Sequence, residues 1–319
     1  MTWHTEPLVG FDLETTGVDV ETARIVTAAL VFRTPDTPPS KRTWLVNPGV
    51  PIPDEATKVH GISTEQAAAE GVPAAEAVEA IAAYLAGALA AQPVVAMNAR
   101  YDFTVLDREL RRYGLRTLWE RVGGETAPGP VVDPFVLDKQ ADKYRKGSRK
   151  LEALAVHYGA TLSAAHTADA DALAAVEVAV AIAEKYPQLQ VHPEQLHVWQ
   201  IRWAAEQAAG FQQHLRKTDP YAVIEGEWPL IRLTDERKMR TALTTLAERY
   251  EEMTANEQAA IPHLEGPAAE DIANTVYERT RIYRKAAADI RDVLRTGHIP
   301  HDLMTDAELE KYGTPEATS

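Results

Sequence analysis

The chain contains no cysteine. Disulfides, cysteine nucleophiles and zinc–thiolate sites are therefore excluded. No run of roughly 20 apolar residues is present, so no membrane span is expected. The longest apolar stretches, such as Ala74–Ala91, are Ala-rich and broken by Glu, Tyr or Gly. Met1–Gly10 lacks a basic stretch followed by an apolar one, so no signal peptide is expected and a cytoplasmic location is. Positive charge is scarce: Lys and Arg total 33 against 47 Asp and Glu, for a net charge of −14. A protein that coats nucleic acid along its length needs many more cations to neutralise phosphates. An enzyme that holds one strand end through divalent cations is not excluded, because such ions are often the largest local charges in a site.

Hydrophobic residues make up 45% of the 319, enough for a packed core and against wholesale disorder. That length suggests two domains at about 100–200 residues each. Leu8–Leu13, Ile25–Phe32 and Thr43–Val46 read as strands, with the Pro-rich Thr34–Pro39 suited to a hairpin connection. Pro48–Pro53 ends this all-β opening. A long Ala-rich helix is expected over Ala74–Ala90, with Pro73 suited to its first turn. Pro93–Met97 and Val131–Asp133 read as short strands, and Tyr101–Tyr113, Arg149–Tyr158 and Asp169–Lys185 as helices. Three strands followed by alternating strands and helices predict an α/β fold, a mixed sheet flanked by helices, over residues 1–186. Residues 187–319 read as a mainly helical region of unknown role. Its first helix, Pro193–Lys217, carries Trp199, Trp203, Phe211 and Leu215 at helical spacing, which predicts an apolar face packed on the first domain. Trp228-Pro229 marks a boundary, and Asp235–Tyr250 and Ala268–Arg295 read as charged helices.

Three acidic segments carry chemistry. In Phe11-Asp12-Leu13-Glu14-Thr15-Thr16-Gly17, Asp12 and Glu14 lie two apart on a strand and so project to the same side. Adjacent carboxylates repel unless a cation or proton sits between them, and a hard divalent cation accepts such oxygen ligands. Taken alone, the segment also fits a solvated strand end. Asn98-Ala99-Arg100-Tyr101-Asp102-Phe103 follows a strand and opens a helix, where Asp102 also fits an N-cap. His166-Thr167-Ala168-Asp169-Ala170-Asp171 opens another helix, where acids also favour the macrodipole.

In order, spacing and setting, these segments together resemble the DEDDh group of DnaQ-like 3′–5′ exonucleases, over about residues 6–186. Lys58-Val59-His60-Gly61-Ile62 is similar to the family's V-H-G-I segment. His166 stands five residues before Asp171, and Thr167 occupies the place that holds tyrosine in the sister group. The resemblance implies a ribonuclease H-like fold and two Mg²⁺ or Mn²⁺ ions. It assigns Asp12, Glu14 and Asp171 to one ion and Asp12 and Asp102 to the second. It makes His166 the general base, a role its near-neutral ordinary pKa suits. It places Leu13, Thr15 and Thr16 near the terminal nucleotide, Val59, His60 and Phe103 against base and sugar, and Asn98 at the Asp102 turn. The basic run Lys139, Lys143, Arg145, Lys146, Arg149 and Lys150 reads as a phosphate guide, while Asp133, Asp138 and Asp169 are assigned no metal.

The implied activity is release of nucleoside 5′-monophosphates from single-stranded or frayed DNA, in replication or repair. Trimming of short RNA on the same fold stays open, since no motif decides how the 2′-hydroxyl is treated. So does a docking protein whose C-terminal region binds a polymerase or another replication partner.

Overall fold

The computed structural model describes residues 2–123, 129–161, 167–219, 222, 224–233, 247, 250–259 and 269–296. The chain divides into two compact units, Met1–Ile231 and Arg232–Ser319.

The first unit is built on a mixed six-stranded sheet. Its strands are β1 (Leu8–Thr15), β2 (Ile25–Arg33), β3 (Ser40–Asn47), β4 (Val72–Pro73), β5 (Val94–Val95) and β6 (Val131–Val132), in the order β4-β3-β2-β1-β5-β6. Only β2 runs against its neighbours. The Pro-rich stretch between Arg33 and Ser40 closes the β2–β3 hairpin as the sequence predicts, with Phe32 opposite Ser40.

The helices are α1 (Asp54–His60), α2 (Thr64–Glu70), α3 (Ala74–Ala91), α4 (Ala99–Arg112), α5 (Leu118–Arg121), α6 (Pro134–Ala141), α7 (Leu151–Tyr158), α8 (Ala168–Lys185) and α9 (Pro193–Leu215). Alternation along β1 sorts them by face. Val9, Phe11 and Leu13 are buried on one side, where Phe11 meets Phe103 of α4 edge-on at 5.7 Å. Gly10, Asp12 and Glu14 point to the other side, where α8 packs. Helix α3 is long and apolar enough to cross a membrane by length and composition alone. Its Val78, Ile81, Ala82 and Leu85 are instead buried in the core.

The first unit continues past Tyr186 because α9 covers the edge of the sheet. The buried Val131 N–H of β6 donates to His197 Nδ1 at 3.1 Å, and its carbonyl accepts from Gln200 Nε2 at 2.9 Å. The Asp133 N–H donates to Gln200 Oε1 at 2.7 Å. An edge strand otherwise presents an unpaired row of such groups, and two side chains one turn apart on α9 satisfy them. Of the four residues whose apolar spacing predicts a packed face, Trp203 is buried, Trp199 and Leu215 are partly buried, and Phe211 is 50% exposed; Leu196, outside that set, is buried too. In the second unit, residues 250–259 form α10 and Ala269–Thr296 form α11, tied by Arg291 to Glu251 at 2.9 Å.

Candidate active site

The acidic site forms where β1 outruns β5. On the β5 side of β1, the Val9 N–H donates to the Pro93 carbonyl at 3.1 Å. Four residues on, the Leu13 N–H faces the same way, but β5 has ended at Val95. Asp102, in the first turn of α4, fills the vacancy: its Oδ1 accepts from Leu13 N–H at 3.2 Å. A buried backbone donor needs a partner, and this one is met by a carboxylate from the helix. Asp102 therefore enters the site through the end of the sheet, although α4 packs on its opposite face.

Asp171 reaches the site from α8. At Gly10 a β-carbon would lie 2.4 Å from the carbonyl oxygen of Ala172, closer than any contact allows. The missing side chain lets the first turns of α8 lie against β1. Asp12, Glu14 and Asp171 each then present a ligand atom within 4.8 Å of the others. Burial and the charges of Asp102, Glu14 and Asp171 push the Asp12 carboxyl well above the usual carboxylate range. Asp102 is also raised, first by burial, against hydrogen bonds from its own N–H and that of Leu13. Several carboxylates that hold one another's ionisation back form a set that a divalent cation neutralises. The donor chemistry thus fits a metal.

A cleft of about 260 Å³ opens beside this cluster, walled by Glu14, Thr27, Lys41, Trp44, His60 and Asp169 among others. Lys41 pairs with Asp169 at its mouth, and that cation holds the Asp169 carboxyl below its ordinary value. His60 ends α1, accepts the Ile62 N–H on Nδ1 at 3.2 Å, and keeps a buried Nε2 without a hydrogen bond. Burial lowers its pKa, against a smaller raising effect of the Thr15 backbone.

Helix α4 clamps the loop after β1 at three points. The Tyr101 hydroxyl meets Thr15 Oγ1 at 2.5 Å and donates to the Gly17 carbonyl, and burial pushes its pKa up to about 12. Arg108 makes two bonds of 2.8 Å to Glu21. Arg24 donates to the fully buried Glu109 at 2.6 Å. The sequence assigns no role to Tyr101, the aromatic of the Asn98–Asp102 segment, or to Lys41. Helical spacing of Tyr101 from Arg108 and Glu109 is the signal for the first, and Lys41 carries none, since its partner lies on a distant helix.

The other expected residues fall as follows. Leu13 is buried. Thr16 Oγ1 accepts the Arg24 N–H at 3.0 Å. Val59 is 53% exposed, and Phe103 is buried against Phe11 and so supports the sheet. Asn98 caps α4 in the left-handed conformation (φ 58°), and its carbonyl accepts the Tyr101 N–H at 2.8 Å. His166 lies outside the described residues. The basic run divides: Arg145 (3.1 Å) and Arg149 both turn inward to the buried Asp138, which also accepts from the Tyr158 hydroxyl. Those two arginines are structural, because their charge is spent on a buried carboxylate, whereas Lys143, Lys146 and Lys150 stay exposed.

Carboxylates gathered past the end of a central strand, on a mixed sheet with helices on both faces, define the frame of a hydrolase whose acidic cluster could hold a divalent cation. A family model described as "Exonuclease" (RNase_T) matches residues 9–179, more than half of the chain, and the chain belongs to that family, among the DnaQ-like 3′–5′ exonucleases. A DNA polymerase III subunit epsilon-like protein of Rhodobacter capsulatus is 33% identical over 184 residues, covering 53% of this chain and 22% of its own length. This chain therefore spans about a fifth of that relative. Exonuclease I of Methylocaldum szegediense matches with 26% identity and a TM-score of 0.46, over 58% of this chain and 42% of that one. Escherichia coli exonuclease I in complex with a dA16 oligonucleotide matches with 19% identity and a TM-score of 0.48, over the same shares.

Proposed function

We propose that the chain is a metal-dependent 3′–5′ exonuclease that releases nucleoside 5′-monophosphates from single-stranded or frayed DNA. The observation that carries this reading is the convergence of Asp12, Glu14 and Asp171 within 4.8 Å of one another, with Asp102 bonded to the same strand end.

Residues 1–186 are the exonuclease domain on this reading. Asp12, Glu14 and Asp171 would hold one divalent ion, and Asp12 and Asp102 a second, Mg²⁺ or Mn²⁺. The ions would supply an activated water and charge neutralisation at the leaving oxygen. His166, by its place five residues before Asp171, takes the proton of the attacking water; an ordinary pKa near neutrality suits that role. His60 lines the cleft beside Glu14 and packs on the terminal sugar or base, with Val59, Leu13, Thr15 and Thr16 around it. Asn98 orients the turn that carries Asp102, and Phe103 backs the strand beneath. The Lys41–Asp169 pair stands at the entrance. The likeness to the Rhodobacter epsilon-like protein supports a replication setting, with a polymerase or another replication partner for the C-terminal region, and the expected location is the cytoplasm.

The test is a gel assay on 5′-labelled single-stranded DNA and its RNA equivalent, with Mg²⁺, Mn²⁺ or EDTA. A metal-dependent ladder that shortens from the 3′ end, faster on DNA, is expected. Faster loss of the RNA would move the substrate to RNA, and no cleavage of either by folded protein would leave the docking reading. Asp12→Asn should lower kcat by more than the roughly 10–100-fold typical of losing an orienting partner of a metal ligand. In EDTA the same variant should melt higher than the wild type, because one of several mutually repelling carboxylates is gone. Mg²⁺ should raise the melting temperature of the wild type and not of the variant. A wild-type response of the variant to Mg²⁺ would remove Asp12 from the metal site.

A further inference from the structure

A second cavity, of about 230 Å³, lies beside the N-terminal turn of α4. Arg100, Phe135, Lys139, Phe211, Ile224 and Trp228 line much of it. Arg100 and Asp102 are two residues apart, roughly 200° around a helix of 3.6 residues per turn. The two side chains thus leave the first turn of α4 in nearly opposite directions, one toward this cavity and one toward the acidic site.

Two cations, Arg100 and Lys139, line this cavity beside a single carboxylate, that of Asp133. Arg100 donates to the backbone carbonyl of Glu225. The ammonium of Lys139 sits 4.7 Å from the centre of the Phe135 ring. Neither makes an ion pair among the described residues. The nearby carboxylate of Asp133 is spent inward: its Oδ1 accepts from the N–H groups of Asn98 (3.0 Å) and Phe135 (2.9 Å), and its Oδ2 from Ala99 N–H (3.0 Å) and Trp228 Nε1 (3.1 Å). Asp138 is likewise committed to Arg145, Arg149 and Tyr158. Burial and then the charges of Arg149 and Arg100 hold Lys139 below its ordinary pKa, against a smaller raising effect of Asp133, so a further anion beside it would relieve the imbalance. In a chain of net charge −14, such a local excess of positive charge is distinctive. Flat apolar surface accompanies it: Phe211 stands half exposed at the rim and Trp228 is buried at the wall.

Cations beside aromatic rings match a ligand that carries a phosphate next to a flat ring. We propose that this cavity binds one nucleotide, its phosphate between Arg100 and Lys139 and its base against Phe135 and Phe211. The nucleotide is either a unit of the strand whose end enters the acidic site, which rests on the nuclease reading above, or a free 5′-mononucleotide. Its site is distinct from the acidic cleft and uses residues of α6, α9 and the segment 224–228.

Binding is measured in EDTA, where no hydrolysis occurs, by the anisotropy of a short 5′-fluorescein oligodeoxynucleotide and by equilibrium dialysis of labelled deoxyadenosine 5′-monophosphate. Lys139→Gln and Phe211→Ala, with wild-type melting temperatures, should each weaken oligonucleotide binding about tenfold, the scale of one lost base stack. Lys139→Gln should also flatten the slope of log affinity against log salt by about 0.7, one phosphate contact on a single strand. If the mononucleotide binds, competes with the strand, and is lost in both variants, the free nucleotide is a ligand of the same cavity. Wild-type affinity of both folded variants for strand and mononucleotide would overturn the proposal. Weakened binding in a protein that fails the gel assay would sink the exonuclease reading and leave this site standing.

Discussion

Gly10 and His197 each control a contact between a helix and the sheet, one by what it lacks and the other by its protonation. A side chain at Gly10 would strike the backbone of Ala172, so Gly10→Ala must push α8 off β1. Overpacking of this kind costs about 1–3 kcal/mol. Asp171 rides on the displaced turn, so the Mg²⁺ concentration for half-maximal activity should rise together with a lowered melting temperature. Unchanged Mg²⁺ dependence in a destabilised Gly10→Ala protein would mean that the approach of α8 does not set the acidic cluster. His197 is 6% exposed, and burial lowers its pKa from 6.5 to about 4. Its proton is thus bound more weakly folded than unfolded, so its contribution to stability is intact above 6.5 and is lost as pH falls toward 4. The displacement is worth about 3 kcal/mol at roughly 1.4 kcal/mol per unit. His197→Gln should flatten the fall in melting temperature over that window relative to the wild type. A parallel pH profile in the variant would assign the acid sensitivity elsewhere, His4 and His60 being the other histidines lowered by burial among the described residues.

At the scale of elements, α4 holds the loop that follows the acidic strand. Burial keeps the Glu109 carboxyl above its ordinary pKa in spite of Arg24 and Arg112 beside it. Removing one partner of a buried pair leaves an uncompensated charge, at about 3–5 kcal/mol. Arg112 also reaches Glu109, so Arg24→Ala should fall at the lower end of that range. The same substitution removes one of the three clamps on the loop of residues 16–24, so kcat should drop in protein that is still folded. Full activity in folded Arg24→Ala would show that the clamp serves stability alone. The elements that the sequence left unread have local reasons. Helices α1 and α2 are seven residues each, too short for apolar periodicity to register, and they sit between Pro53, Gly61 and Gly71. Helix α6 carried its signals openly, with Asp133 accepting the Phe135 N–H as N-cap and Pro134 in the first turn. In sequence Asp133 reads as the end of the strand Val131–Asp133, which hides them. By contrast β1, β2 and the Ala-rich α3 are long, strongly patterned segments, and their limits were legible to within a few residues.

At the scale of the molecule, what could be read was the set of acidic residues, and what could not was how they meet. The pair Asp12 and Glu14 is visible because strand alternation is local. Asp102 and Asp171 show in sequence only as helix-opening acids, and their approach depends on β5 stopping short and on the missing side chain at Gly10. Neither is a property of any one segment. The same holds for α9: its apolar spacing predicts packing, but nothing local says that His197 and Gln200 meet the backbone of β6. That contact decides where the chain can be cut. Truncation after Ile231 removes only the second compact unit and keeps α9, so the remaining protein should fold and should hydrolyse short oligonucleotides if the exonuclease reading holds. Truncation after Tyr186 strips the edge of β6, exposing the Val131 and Asp133 backbone together with the apolar surface under Leu196 and Trp203. An uncovered edge strand beside apolar surface pairs with other chains, so this shorter protein should aggregate or melt well below the longer one. Size-exclusion chromatography and thermal melting of the two truncations decide the point. A monomeric shorter form as stable as the longer would show that α9 is dispensable to the sheet it covers.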